Sequence, residues 1–449
     1  MLFTKGPEKR YMVGFDLRET FCQISYYRND GQTEAGREPV TFSQGGPEEF
    51  NIPAALCKHH ERNQWFCGRE ALSRAESGEG TLVDHLLPTA LAGTPVVIGE
   101  EEFDPCGLMA LFIRRCFALL AEKVPTEQIA AVMFTAERMT KETAQLLADV
   151  RQRMELPVDH VCCETYANSF YNYMLMQPSS LREREVLLCE YDGGETLLTH
   201  RLVFNPNTTP TVAFMEKKEY PFARRQEGGA GTEARRSAES QPEREERAPL
   251  LPEEKDERFL AILGDAIGDR RPASAYLIGD GFKGGWMRKS LTYLCYQRRV
   301  FQGNNLYSKG AAYGALFRVQ PPALTKEYFF LGKNKLKSNV GMQALRRGQM
   351  AYHAVLDAGE NWYEVDKTED YILESGNELR LIVTPLTGAR AQEYPVVLDK
   401  LPVRAQRAAR IRVRYTMPTP QTLLLRAQDL GFGEIYPASG LSWEQTLEV

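Results

Sequence analysis

Two hydrophobic rhythms divide the chain. From Tyr11 to Phe317, short apolar runs alternate with segments whose apolar residues recur every three or four positions, which predicts strands alternating with amphipathic helices. Tyr11–Tyr27 reads as strand, tight turn at Leu17-Arg18-Glu19-Thr20, and strand, with a further turn at Asn29-Asp30-Gly31. Asn51-Ile52-Pro53 opens another strand, and Gln64–Ala71 passes from strand to helix. Asp104-Pro105 caps a helix over Cys106–Lys123. There follow a strand (Ala130–Phe134), a helix (Lys141–Met154), a strand (Val158–Cys162) and a helix (Thr165–Met176). Val186–Val203 predicts two apolar strands joined at Asp192-Gly193-Gly194-Glu195-Thr196. Two glycines after an acid suit either a plain hairpin turn or a loop that brings backbone amides to an anion.

Residues 223–256 break the rhythm. They are rich in Arg, Glu, Gly, Ser, Pro and Gln, and such a segment buries too little apolar surface to offset its ordering entropy, so a disordered insertion is expected. Regular pattern resumes with a helix (Glu257–Ile267), a strand (Ala275–Ile278) and further helices to Phe317. After Pro321-Pro322 the period shortens to two. Runs such as Asn361–Lys367, Glu378–Thr384, Arg410–Tyr415 and Gln421–Ala427, set between Gly, Pro and Asn turns, predict an all-β domain built as a sandwich.

Composition narrows the function classes. A chain of 449 residues with 43% hydrophobic and 26% charged residues buries a substantial core over two or three domains. A net charge of -5 argues against a nucleic-acid binder or a ligand of anionic membranes. No basic start with an apolar core marks the N-terminus, and the apolar stretch Cys106–Ala121 is broken by Arg114-Arg115, so neither a signal peptide nor a membrane span is expected. Nine cysteines without a Cys-x-x-Cys pair suit reduced thiols in the cytoplasm. Cys57, His59, His60 and Cys67 are close enough to suggest zinc, but their spacing fits no strong ligand pattern and favours a structural role.

Five segments then resemble, in order, the actin-like ATPase domain of the seventy-kilodalton heat-shock chaperones of the DnaK type. Val13-Gly14-Phe15-Asp16-Leu17-Arg18-Glu19-Thr20 is similar to the first phosphate loop, Gly-Ile-Asp-Leu-Gly-Thr-Thr. Ile52-Pro53 with Phe66-Cys67-Gly68-Arg69-Glu70-Ala71 resembles the Pro-Ser and Val-Gly-x-x-Ala elements. Glu164–Tyr173 looks like the connecting-helix motif, and Tyr191-Asp192-Gly193-Gly194 like the second phosphate loop. Leu277-Ile278-Gly279-Asp280-Gly281, with Ser308–Ala315, resembles the adenosine motif and its closing helix. Tyr328-Phe329-Phe330-Leu331 stands where that family has its interdomain linker, and Tyr394–Pro402 with Ala409–Tyr415 is similar to the end of its peptide-binding β-domain.

The resemblance implies an actin-like fold of duplicated ribonuclease-H-like halves, the second shortened, over residues 1–319, with residues 223–256 as the insertion. A linker at 320–330 and a lidless β-sandwich at 331–449 would follow. It also implies a nucleotide site, with Asp16, Arg18, Glu19, Thr20, Gly193, Gly194, Gly279, Gly281 and Lys283 around ATP or ADP. Asp16, Glu164 and Asp192 would hold Mg²⁺, and Glu164 and Asp192 would be the catalytic candidates. The departures from the family weigh against turnover. Arg18 replaces its phosphate-binding glycine, Glu19 its hydroxyl, and no lysine stands near Asp84-His85-Leu86-Leu87. A carboxylate 4 Å from a triphosphate costs about 1 to 4 kcal/mol in repulsion. The expectation is a degenerate site with weak or absent nucleotide binding, the three acids fitting equally well as strand-end and cap residues of an inherited fold. Function would then lie in holding a protein or peptide through the β-domain, with an active Mg-ATP-dependent chaperone as the alternative.

Overall fold

The computed structural model describes residues 9–30, 38–46, 49–155, 157–206, 209–222, 250–346, 348–386 and 390–449. The chain is mixed α/β and divides into two compact units. One comprises Met1–Asp84, Arg115–Ala136 and Leu156–Phe329; the other comprises His85–Arg114, Glu137–Glu155 and Phe330–Val449. The division is therefore not linear. The unit that holds the C-terminal strands also takes in two segments from the region expected as a single 1–319 domain.

The first unit is built on two sheets. In one, β1 (Tyr11–Leu17) and β2 (Phe21–Arg28) form a hairpin paired from Tyr11↔Arg28 to Leu17↔Cys22, with β3 (Val40–Thr41) beyond β2. On the other side of β1 lie β4 (Ile129–Ala136) and β5 (His160–Thr165), both parallel to it. Every residue of β4 is buried, as a strand covered on both faces requires. The second sheet contains β6 (Glu185–Glu190), β7 (Thr196–Asn205), β8 (Thr211–Pro221), β9 (Ser274–Ile278) and β10 (Arg299–Gln302). Its order is β10-β9-β6-β7-β8, against β5-β4-β1-β2-β3 in the first. In each, the first three strands are antiparallel and the last two parallel to the first. The two sheets repeat one topology strand for strand.

Five helices matter below: α1 (Lys141–Met154), α2 (Tyr166–Met176), α3 (Pro252–Ile267), α4 (Lys289–Cys295) and α5 (Leu306–Val319). Helix α5 lies backbone to backbone on both β1 and α2. A Cβ on Gly14 would fall 2.1 Å from the Ser308 carbonyl oxygen, and one on Gly310 would fall 1.9 Å from that of Ser169. Side chains complete the packing, with Tyr173 and Phe170 of α2 edge-on to Tyr276 of β9 and Tyr313 of α5 against Tyr27 of β2.

Three sequence expectations change. Residues 223–249 of the expected insertion lie outside the described residues, but its end does not stay irregular: α3 begins at Pro252, with proline in the first turn where its missing N–H costs nothing. Asp256, expected inside the insertion, is buried and accepts from the amides of Arg288, Lys289 and Ser290 at 2.8–3.1 Å, capping α4. Asn361–Lys367 is not one strand. Trp362–Glu364 is a single 3₁₀ turn that buries Trp362 and Tyr363, and the strand starts at Asp366. The expected linker holds a short helix at Leu324–Glu327 and a strand at Tyr328–Phe330, which adds to the second sheet beside β8.

In the second unit, β11 (Ser338–Arg346), β12 (Gln349–Leu356), β13 (Asp366–Leu373), β14 (Glu378–Pro385), β15 (Gln392–Val397), β16 (Ala409–Thr419), β17 (Thr422–Asp429) and β18 (Ser442–Glu448) form two antiparallel sheets. Their orders are β12-β11-β14-β15 and β13-β16-β17-β18. Burial alternates along β16 and β17, so one face is covered and the other wet. Among the described residues no helix is long and apolar enough to cross a membrane.

Candidate functional site: an arginine between two sheet ends

The carboxyl ends of β1 and β6, and the N-termini of α2 and α5, converge on Arg18. The β1–β2 turn closes when the Arg18 amide donates to the Phe21 carbonyl at 3.0 Å, which sends the side chain back over Asp16. Asp16 is fully buried. It accepts from Arg18 Nε at 3.2 Å and from the Tyr166 hydroxyl at 2.7 Å. Arg18 Nη1 then lies 3.6 Å from Glu190 Oε1 and 3.7 Å from Asp192 Oδ2, both belonging to the β6 end of the second sheet. One cation thus faces three carboxylates drawn from both sheets.

Rings surround the guanidinium. Its carbon is 5.1 Å from the Phe21 ring centre, 5.3 Å from that of Tyr166 and 5.7 Å from that of Tyr307. Tyr166 and Tyr307 stack on each other at 4.1 Å and 9°. The Tyr307 hydroxyl donates to Glu190 Oε2 at 3.1 Å, and His200 Nε2 stands 3.5 Å from the same oxygen. Arginine suits this place where lysine would not, because its flat face stacks on aromatic rings while its edge carries several N–H donors toward acids.

Burial and charge oppose one another across the cluster. Burial works against a charged Arg18, but Asp16, Tyr166 and Glu190 raise its pKa well above the ordinary value, and it stays protonated. Burial also drives Asp16 up, and Arg18 and Tyr166 pull it back only in part. For Glu190 burial again pushes upward, yet His200 and Arg18 outweigh it and hold the group below the usual carboxylate range. Asp16, Arg18 and Glu190 are thus paired out of solvent, while Asp192 stands exposed at the mouth of the cluster.

The expected site residues divide accordingly. Asp16, Arg18 and Asp192 come together. Glu164 does not join them: its carboxylate accepts from the Ser169 hydroxyl at 2.6 Å and the Asn172 amide at 2.9 Å, beneath α5 where Gly314 leaves room. Glu19 and Thr20 are exposed on the turn. Gly279 and Gly281 pack tightly on the β6 end: a Cβ on Gly281 would sit 2.5 Å from the Gly193 amide nitrogen and 2.3 Å from the Tyr191 ring, and one on Gly279 would sit 2.3 Å from the Tyr191 carbonyl oxygen. Gly194 is exposed beside them, and Lys283, also exposed, pairs with Asp280 at 2.8 Å. Among the described residues no group of three His, Cys, Asp or Glu side chains is placed to hold a metal ion, either at Asp16, Glu164 and Asp192 or at Cys57, His59, His60 and Cys67. His59 Nδ1 accepts from the amides of Glu61 and Arg62, and His60 meets Thr81. At the three acids expected to hold Mg²⁺, Arg18 lies against Asp16 and Asp192, and Glu164 is bonded to Ser169 and Asn172 instead.

Sequence reading missed Phe21, Tyr166, Glu190, His200 and Tyr307. A signal was there: Tyr166 follows Glu164-Thr165 directly, Tyr307 precedes Ser308-Lys309-Gly310, and Glu190 precedes Tyr191-Asp192. Tyr166 lies inside the connecting-helix motif, and Glu190 and Tyr307 each directly precede a motif residue, all at a strand or helix end.

Residues 335–449 match a domain of unknown function, DUF8552, and residues 38–333 match the C-terminal model of a family of unknown function, DUF5716. Asp16, Arg18 and Phe21 precede that second match, whereas Tyr166, Glu190, Asp192 and Tyr307 fall inside it. No curated protein matches the chain. As the larger match spans more than half of its residues, the chain belongs to the DUF5716 family.

Proposed function

We propose that the chain is a chaperone-like protein-binding scaffold on an actin-like frame whose nucleotide site has become an internal ion cluster. The observation that carries this reading is Arg18, held between Asp16 and Glu190 where the resemblance calls for glycine, phosphate and metal. The strand-for-strand repeat of the two sheets in the first unit supports the actin-like frame. Fold analogy alone assigns no activity, so the working surface must be found elsewhere.

The β11–β12 hairpin offers one. Leu345, Met350 and Tyr352 are all exposed, and Leu345 pairs with Met350 while Gln343 pairs with Tyr352, which places the three on one face. Strand β12 is also the edge of its sheet. An extended apolar peptide would gain backbone hydrogen bonds along such an edge and side-chain burial against the hairpin. Fluorescence anisotropy with labelled extended apolar peptides tests the reading. Binding is expected to be the same with and without Mg-ATP, and to weaken by about tenfold or more in Met350→Lys/Tyr352→Lys. Affinity that changes with Mg-ATP would contradict it.

The alternative is an active Mg-ATP-dependent chaperone-like ATPase, using ATP or ADP with Mg²⁺. One feature favours it: Asp192, Gly193 and Gly194 remain exposed beside the Gly279–Gly281 backbone. That reading requires Arg18 to leave the cleft.

A further inference from the structure

We propose that the Arg18 pocket is a guanidinium-binding site, occupied by the chain's own side chain, that fastens the carboxyl end of the first sheet to that of the second. The proposal deepens the reading of the cleft given above, but the two fail separately, because this one involves no nucleotide.

The argument rests on what the pocket selects. Its walls are flat: Phe21, Tyr166 and Tyr307 place their rings 5.1–5.7 Å from the guanidinium carbon. Its rim is acidic, with Asp16 at 3.2 Å from Nε, and Glu190 and Asp192 at 3.6 and 3.7 Å from Nη1. A planar cation with N–H donors at its edge satisfies walls and rim together. A hard divalent ion finds no three-ligand group among the described residues and has no use for ring faces. An ammonium ion would meet the charge but not the planar stacking. The second layer is as specific, since the Tyr166 hydroxyl donates to Asp16 and that of Tyr307 donates to Glu190. The stacked tyrosines hold the two acids, one from each sheet, in place on either side of the cation.

The connectivity explains why this is a fastening. Arg18 and Asp16 belong to the β1–β2 hairpin, whereas Glu190 and Asp192 belong to the end of β6, and the two strands lie in different sheets. The side chain of Arg18, only 15% exposed, is the ionic tie between these sheet ends. Removing it takes away the cation shared by the two ends, leaving Asp16 with only the Tyr166 hydroxyl and Glu190 with Tyr307 and His200.

The test empties the pocket and refills it. In Arg18→Gly, hydrogen exchange at Leu17–Phe21 and at Glu190–Gly194 should rise together by about tenfold or more over the full-length wild-type chain. Guanidinium at low-millimolar concentration, far below its denaturing range, should restore protection at both segments in a saturable manner. Urea (the same shape without charge) and sodium at matched ionic strength should not. If Arg18→Gly does not fold alone, recovery of folded protein on refolding with guanidinium, compared with urea, reads the same property. Arg18→Lys keeps the charge and fills the space, and should show intermediate protection that guanidinium leaves unchanged. Wild-type protection in Arg18→Gly would overturn the proposal, as would a variant that guanidinium fails to restore or that urea restores equally well.

Discussion

Two buried acids show at the residue scale how this chain handles charge outside the cleft. Asp429 in the second unit is fully buried and receives both N–H edges of Arg404, at 2.6 and 2.7 Å, together with the amides of Gly431 and Ser439 at 2.9 Å. Arg404 above all, with burial opposing it, holds the Asp429 carboxyl far below the ordinary range. Asp256 reaches about 2 by another route: burial pushes it up, but the Ser290 hydroxyl and three backbone amides outweigh that. Both folded-state values are depressed, so both contributions are fully present above the ordinary carboxylate value of 3.8 and are lost as pH falls through the folded value. Thermal unfolding between pH 5 and pH 2 should therefore show stability falling steeply below about pH 4. In Asp429→Asn that acid slope should be shallower, and stability at neutral pH lower by about 3 to 5 kcal/mol, because Arg404 is left buried without its counter-charge. An Asp429→Asn protein as stable as wild type at neutral pH would show that the pair is not structural. None of this was legible in the sequence, where Arg404 and Asp429 lie 25 residues apart. Arg18, by contrast, was legible as an anomaly: its position in the glycine slot was plain, but its partners required the fold.

At the scale of elements, local pattern located most of what local physics controls. The helix expected at Lys141–Met154 has those bounds, set by the Thr140 side chain accepting from the Thr143 amide. The hairpin Tyr11–Tyr27 and the helix after Glu164 also form as expected. Strand β8 was missed because Met215 to Tyr220 carries Glu216, Lys217, Lys218 and Glu219, which destroy the two-residue alternation; only pairing with β7 makes it a strand. The Trp362 turn was misread because two adjacent large side chains are both buried, which no single-faced strand permits. The helical segment Ser308–Ala315 was identified, but not why it needs small residues: α5 rests on α2 at Gly310 with no space for a Cβ. Gly310→Ala should consequently force the helices apart and lower stability by about 1 to 3 kcal/mol or more, read as a fall in Tm. An unchanged Tm would mean that α5 does not pack there as closely as described.

For the whole molecule, the order of elements in the sequence anticipated an α/β part and a β-rich part, and both are present. Two things were hidden. One is that His85–Arg114 and Glu137–Glu155 group with the C-terminal strands in a single compact unit, since contacts between residues so far apart leave no trace in local periodicity. The other is that the two sheets of the first unit repeat one topology, which follows from pairing and not from any repeat visible in the residues. That repeat puts the ends of β1 and β6 in equivalent positions, and Arg18 joins them. We propose that this arginine stands in place of nucleotide and metal. Calorimetric titration of the full-length protein with ATP and with ADP, each with and without Mg²⁺, tests it most directly. The account predicts no saturable heat up to millimolar nucleotide. Micromolar, Mg²⁺-dependent binding would contradict it and make the cleft a nucleotide site from which Arg18 must move.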